Sequence, residues 1–316
     1  MKQEKLHPFK RYGGNPILSR EDVPYACNTV FNAAAVKFNG RYLLLLRIED
    51  LKGRSHITKA WSKDGYHFTV EQRPWITPAE EGEWEIYERY GVEDPRITFL
   101  EGTYYITYTA YGPYGPRAAL GKTKDFIRFE RVALLTEVDN KDVVLFPETI
   151  NGKYFLIDRP GGFGGKRGDI WIKESPDLIY WGRSRVLLPS EPGWGAHKLG
   201  VSTPPIKTAK GWLSFYHGVR HTPAGNLYRI GAMLMALDDP KKITGYTEHF
   251  IFGPEEDYER VGDVPNVVFP CGVILEEDQG LKLYYGAADT YIALAETKLE
   301  QVLQMILPVA DNDDCR

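Results

Sequence analysis

The sequence predicts an all-β fold, a single five-bladed β-propeller over residues 1–316, on three observations. The composition is that of a β-rich chain: Tyr 20, Phe 14 and Trp 7 make 13% aromatic, and Gly 31 with Pro 21 supply many turn positions. A hairpin of strand, Gly-containing turn and aromatic-rich strand recurs five times, at residues 31–47, 93–108, 146–159, 202–217 and 269–285. A second motif trails the early copies in the same order: Ser62-Lys-Asp-Gly-Tyr-His-Phe68, Thr123-Lys-Asp-Phe-Ile-Arg-Phe129 and Ser175-Pro-Asp-Leu-Ile-Tyr-Trp181. Each unit then holds about four strands in roughly 50 to 70 residues, the size of one propeller blade. A generic β-sandwich gives no reason for paired motifs in a fixed order.

Along the chain, residues 1–25 read as an N-terminal arm. The apolar run from Tyr42 to Leu46 is strand-sized and far short of a membrane span. Residues 80–87 suit a short helical turn between the first two units. A weaker echo of the trailing motif, Leu237-Asp-Asp-Pro240, follows the fourth hairpin. Leu299, Val302, Leu303 and Ile306 recur at helical spacing, so a C-terminal helix is expected over residues 296–308. Residues 309–316 read as a second arm, frayed from Asp311 onward.

Several function classes are disfavoured. Lys+Arg 39 against Asp+Glu 43 gives a net charge of −4, which argues against a general binder of nucleic-acid phosphates. Cys27, Cys271 and Cys315 are too dispersed for a disulfide framework or a zinc motif. The polar N-terminus shows no apolar leader core, and the expectation is a soluble, cytoplasmic protein without membrane contact. The seven histidines lack metal-ligand spacing. No phosphate-binding loop opening a helix and no nucleophile elbow is present, and Gly161-Gly-Phe-Gly-Gly165 reads as a mobile loop.

A propeller delivers the ends of its inner strands to one central funnel, so the repeat says where chemistry belongs. Those positions hold Asn32, Arg47, Glu49 and Asp50; Glu93, Asp94 and Arg96; Glu148, Asp158 and Arg159; Lys198 and His217; and Asp289. Charged side chains are seldom buried unless paired or functional. Each also has a plain reading: Glu49 or Asp50 with Arg54 as a surface ion pair, Arg96 with Asp94 as a structural bridge, His217 as a satisfied core histidine, Lys198 as a solvated loop lysine. Taken together the residues carry a sign pattern, because units one, two and five offer carboxylates while units three and four offer Arg159, Lys198, His217 and the polar Tyr228. An acid facing a cationic pocket suits protonation of a leaving group while an anion attacks from the other side. An inverting glycosidase needs a second carboxylate to activate water, and phosphate as nucleophile removes that need while requiring Arg, Lys and His donors.

Longer motifs carry a resemblance. Leu43-Leu-Leu-Leu-Arg-Ile-Glu-Asp50, Gly91-Val-Glu-Asp-Pro-Arg-Ile-Thr98, Val144-Leu-Phe-Pro-Glu148 and Gly262-Asp-Val-Pro-Asn-Val-Val-Phe-Pro-Cys-Gly272 resemble the mannoside phosphorylases of glycoside hydrolase family 130. The likeness runs from Asn15-Pro-Ile-Leu18 to Tyr284-Tyr-Gly-Ala-Ala-Asp-Thr290. It implies a five-bladed propeller that cleaves β-mannosides with inorganic phosphate, inverts the anomeric centre and releases α-mannose 1-phosphate.

Matched residue by residue, the resemblance implies Asp94 as the single catalytic acid, its proton passing through a hydroxyl of the bound mannose. It implies phosphate binding by Arg159, Lys198, His217 and Tyr228. Asn32, Arg47, Glu49 and Asp289 match positions that hold the mannose ring. Lys141 stands where some members carry an arginine, keeping the charge without the bidentate fork. No metal or organic cofactor is implied; phosphate and a β-mannooligosaccharide are the small-molecule partners, and a homo-oligomer is an expectation. A β-mannoside hydrolase on the same fold and a non-catalytic sugar-binding propeller stay open. The linkage is undecided, and residues 111–117, 161–167 and 221–226 are the loops expected to shape the acceptor side.

Overall fold

A computed structural model describes residues 7–162, 168–191 and 193–309. The expectations for residues 163–167, Cys315 and the tail beyond residue 309 lie outside them.

The described chain is nearly all strand, in five successive antiparallel units. After a short strand β1 (Lys10–Arg11), unit one is β2 (Thr29–Phe38), β3 (Arg41–Glu49), β4 (Ser55–Ser62) and β5 (Thr69–Val70). Unit two is β6 (Gly91–Leu100), β7 (Thr103–Gly112), β8 (Gly115–Thr123) and β9 (Glu130–Leu134). Unit three is β10 (Asn140–Leu145), β11 (Tyr154–Pro160), β12 (Ile170–Ser175) and β13 (Gly182–Leu188). In unit four the inner strand is split into β14 (Lys198–Val201) and β15 (Ile206–Thr208), both paired to β16 (Gly211–Thr222), with β17 (Gly225–Met235) and β18 (Ile243–Tyr246) outside them. Unit five is β19 (Val268–Leu275), β20 (Gly280–Ala287) and β21 (Tyr291–Lys298), and β22 (Leu307–Pro308) returns to pair with β18. Three short helices, α1 (Glu85–Glu88), α2 (Asp257–Arg260) and α3 (Leu299–Met305), lie between or after units.

Core packing relates the units to one another. The run Leu43 to Leu46 on β3 explains the arrangement: side chains alternate along a strand, so Leu43 and Leu45 pack against Val92, Ile106 and Tyr108 of unit two, while Leu44 and Leu46 pack against Tyr284, Ile292 and Leu294 of unit five. Corresponding apolar layers join units two and three through Leu120 and Leu156, three and four through Phe146 and Trp212, and four and five through Phe215 and Leu283. Every unit is therefore buried on two faces, and the fifth packs on the first.

The trailing motif is a repeated turn. The hydroxyls of Ser62, Thr123 and Ser175 accept from the backbone N–H three residues on, at Gly65, Phe126 and Leu178. The carboxylates of Asp64, Asp125 and Asp177 accept from the next two N–H groups, and burial of Phe126 and Leu178 plugs the layer beneath.

Three expectations are revised. Residues 1–6 of the segment read as an N-terminal arm lie outside the described residues, and the rest is drawn into the fold: β1 pairs with β21 as the fourth strand of unit five, Leu18 bridges Ile292, and Phe9 and Leu18 are buried. The C-terminal helix is shorter than expected, because β21 runs through Lys298 and leaves only Leu299–Met305 helical. The third hairpin begins at Asn140 rather than residue 146; the polar start Asn-Lys-Asp hides an inner strand.

Candidate active site

The inner strands of units one, two and three share a device. Each loses one step of register, between Phe31 and Ala34, Glu93 and Arg96, and Lys141 and Val144. The residue in each bulge takes a left-handed conformation: Asn32 (φ 50°), Asp94 (φ 48°) and Asp142 (φ 57°). Asn and Asp tolerate this region better than other side chains, and the bulge re-aims them out of the sheet pattern. All three line one cavity of about 270 Å³, with Arg47, Glu93, Lys141, Arg159, Lys198, His217, Tyr228, Phe269 and Asp289. Small-molecule sites run from about 300 to 1,000 Å³, so the cavity is at the small end of that range.

One half of the cavity is organised by carboxylates. Asp94 Oδ1 accepts from Asn32 Nδ2 at 2.8 Å and from Arg47 Nη1 at 2.9 Å, whereas its Oδ2 accepts no hydrogen bond among the described residues. Arg47 is held by Ser55 Oγ (2.9 Å), by Glu93 Oε1 (3.0 Å) and by the Phe31 ring beneath it. Lys141 Nζ reaches Glu93 Oε2 at 3.3 Å and lies 5.7 Å from the Tyr111 ring centre. Gly286 makes room for the bulge, since a Cβ there would come within 2.1 Å of Asn32 Oδ1.

The other half is organised by cations. Asp142 Oδ2 accepts from Arg159 Nε at 2.8 Å, and Oδ1 from Arg96 Nη2 at 3.3 Å. His217 Nε2 lies 3.6 Å from the same Oδ2, and its Nδ1 is 3.3 Å from Ser202 Oγ. Lys198 Nζ sits 5.1 Å from the Tyr228 ring centre, and Phe269 packs on His217 at 4.6 Å.

Burial and charge set the protonation states. Burial pushes the Asp94 carboxyl up, but Arg47, Arg96 and Lys141 outweigh it and hold it below the usual carboxylate range. Burial pushes Asp289 up to about 7, with Asp94 and Glu93 adding to the rise against Arg47. Burial lowers His217 to about 3, so the ring is neutral near pH 7, and raises Tyr228 to about 12.

A family model described as β-1,4-mannooligosaccharide phosphorylase matches residues 6–307. The chain belongs to that family, glycoside hydrolase family 130. It is 34% identical over 303 residues to the β-1,4-mannooligosaccharide phosphorylase of Ruminococcus albus, covering 94% of this chain and 90% of that protein. It is also 34% identical to the β-1,2-mannobiose phosphorylase of Listeria innocua, covering 94% and 98%. A solved structure of the Listeria innocua β-1,2-mannobiose phosphorylase with β-1,2-mannobiose superposes with a TM-score of 0.85 at 33% identity, over 94% of this chain and 98% of that one.

Of the ten residues expected in this family 130 site, nine line the cavity: Asn32, Arg47, Asp94, Lys141, Arg159, Lys198, His217, Tyr228 and Asp289. Glu49 does not; its carboxylate takes the Asn28 amide at 2.9 Å outside the lining. Arg96 behaves as a structural bridge, almost fully buried and bonded to the carbonyls of Asp94 and Ser202. Glu148 pairs with Lys207 at an exposed edge, and Asp158 is buried against Asn140 and Lys173. Asp142, Glu93 and Phe269 also line the cavity beyond the expected set. Asp142 was recoverable only by aligning the bulges, since it precedes the apolar part of β10 as Asp94 precedes that of β6. A larger, mostly apolar cavity of about 770 Å³, lined by Trp194, Tyr216, Tyr246 and Phe250 among others, contains none of the ten.

Proposed function

We propose that this family 130 chain is a five-bladed β-propeller that cleaves β-mannosides with inorganic phosphate, inverting C1 and releasing α-mannose 1-phosphate. Five four-stranded units packed in a cycle support the propeller reading. The observation that carries the reaction is the division of one cavity into a half around Asp94, with an open Oδ2, and a half lined by Arg159, Lys198, His217 and Tyr228. On this reading Asn32, Arg47 and Asp289 hold the mannose ring, and phosphate sits among the cations with Lys141 at the boundary.

In the reaction a phosphate oxygen attacks C1 from the face opposite the aglycone as the C1–O glycosidic bond breaks. The departing oxygen takes a proton from a mannose hydroxyl, which is resupplied from Asp94, so Asp94 ends ionised and the sugar keeps its hydroxyl. Arg47, Arg96 and Lys141 favour the ionised form of Asp94, and the acid form must be restored for the reaction. A phosphate anion offsets the neighbouring cations and so raises the Asp94 pKa. Phosphate thereby serves both as nucleophile and as the charge that lets the acid hold its proton.

The test is product analysis on β-1,4- and β-1,2-linked mannobioses and on mannosyl-glucose, with and without phosphate. Mannose 1-phosphate formed only with phosphate is the expected result, and the substrate consumed identifies the linkage. Free mannose released equally without phosphate would convert the reading to a hydrolase, and binding without any product would leave a sugar-binding propeller.

A further inference from the structure

A carboxylate buried in a pocket for phosphate repels the anion it surrounds, so Asp142 needs a reason to be there. Its side chain is 4% exposed and both oxygens are engaged, Oδ2 by Arg159 Nε and Oδ1 by Arg96 Nη2. Arg96 is 1% exposed, points away from solvent and donates to the carbonyls of Ser202 and Asp94. Arg96 therefore balances the Asp142 charge from beneath, and the charge of Arg159 is left for the cavity.

Arg159 is engaged along one edge alone. Its Nε meets Asp142 at 2.8 Å, while Nη1 and Nη2 donate no hydrogen bond among the described residues, and the side chain lines the cavity. A guanidinium is a rigid planar fork, so fixing the Nε edge fixes the direction of the Nη edge. The stem is confined as well, because a Cβ on Gly168 would lie 2.9 Å from Arg159 Cγ and Cδ. Gly200 completes the arrangement: a Cβ there would come 2.5 Å from the His217 ring and 2.7 Å from Asp142 Oδ2, so the imidazole and the carboxylate pack directly over bare backbone.

We infer that Asp142 is a positioning residue for phosphate, holding Arg159 by its Nε edge so that the two Nη groups meet the anion as a bidentate pair, and steadying the His217 ring beside it. The inference rests on the proposed phosphorolysis and adds the group that organises its anion site. It distinguishes Asp142 from an ordinary ion pair tying units two, three and four together, because such a pair would act on stability without acting through Arg159.

The experiment is calorimetric titration of inorganic phosphate into the full chain and its D142N, R159K and double variants, with phosphate and mannoside KM measured alongside. Asn keeps the left-handed backbone and the volume, but its single acceptor oxygen cannot serve both Arg96 and Arg159. D142N is expected to weaken phosphate about tenfold while shifting the mannoside KM less than about threefold. R159K, which lacks the fork, is expected to weaken phosphate similarly, and adding D142N to it should cost little more. Equal phosphate affinity in wild type and D142N overturns the inference, as do fully additive losses in the double variant. If D142N does not fold, R159K alone decides, and unchanged phosphate affinity there overturns it. Failure of the wild type to bind phosphate at all would instead overturn the proposed reaction.

Discussion

Asp94 and Asp142 stand at the same bulge of neighbouring inner strands, in nearly the same backbone conformation, yet their carboxylates are used differently. Asp94 has one oxygen fixed by a neutral amide and an arginine and the other left open to the cavity. Asp142 has both oxygens taken by guanidinium groups, one buried (Arg96) and one at the cavity wall (Arg159). Asn32, at the matching bulge of unit one, cannot ionise and serves as a donor to Asp94. The repeat copies a backbone position that aims a short polar side chain at the centre, and the neighbours decide what that side chain does. An open oxygen permits proton delivery; a saturated carboxylate can only orient its partners.

The comparison is easiest to break at Asp94. On the proposed reaction Asp94→Asn keeps the left-handed backbone and the volume but removes the proton, so turnover should fall by about 10² to 10⁴ in a variant that still folds. A variant retaining more than about a tenth of wild-type kcat would end the distinction between the two aspartates. The cationic half predicts a different kinetic signature: Lys198→Ala should raise the phosphate KM about tenfold or more and leave the mannoside KM nearly unchanged, as initial rates varied in each substrate would show.

A pH experiment sharpens the same contrast. If Asp142 held His217 protonated, the folded pKa would be raised and the contribution to stability would be lost as pH rises. Burial instead lowers His217 to about 3 from an ordinary value near 6.5. Between those values the unfolded chain takes a proton that the folded chain refuses, so stability is fully present above about pH 6.5 and is lost as pH falls toward 3. His217→Gln should therefore shrink the difference in melting temperature between pH 7 and pH 5; a larger difference would mean the ring is charged by Asp142. The smallest effect is expected at Glu49→Gln, which should change kcat/KM by less than about threefold, within the loss of one hydrogen bond outside the cavity.

Much of this was legible in the sequence, for physical reasons that also mark its limits. The hairpins were readable because a strand buried on both faces becomes a continuous apolar run, as at Leu43 to Leu46. Seven of the nine cavity-lining residues could be picked out because polar and charged groups recurred at equivalent ends of those hairpins, whereas Lys141 and the role of Tyr228 came from the family resemblance. Asp142 escaped because β10 opens on Asn-Lys-Asp, whose polar side chains and left-handed bulge break the alternation that signals a strand. Glu49 lies outside the lining because position along a strand does not say which way a side chain leaves it, and its carboxylate takes the Asn28 amide. The β1 pairing was hidden too, since two residues against a distant edge leave almost no periodic trace.

That pairing has a consequence during synthesis. Arg11 of β1 is tied to Glu259 of α2, 248 positions later, and β1 completes its sheet only beside β21. At roughly 5 to 20 residues per second on the ribosome, about 12 to 50 seconds separate the emergence of Arg11 from that of its partner. β1 thus waits, unpaired, until β21 has been made. Once β21 is made, its outer edge stays unpaired until β1 docks, and an unpaired edge is open to other chains.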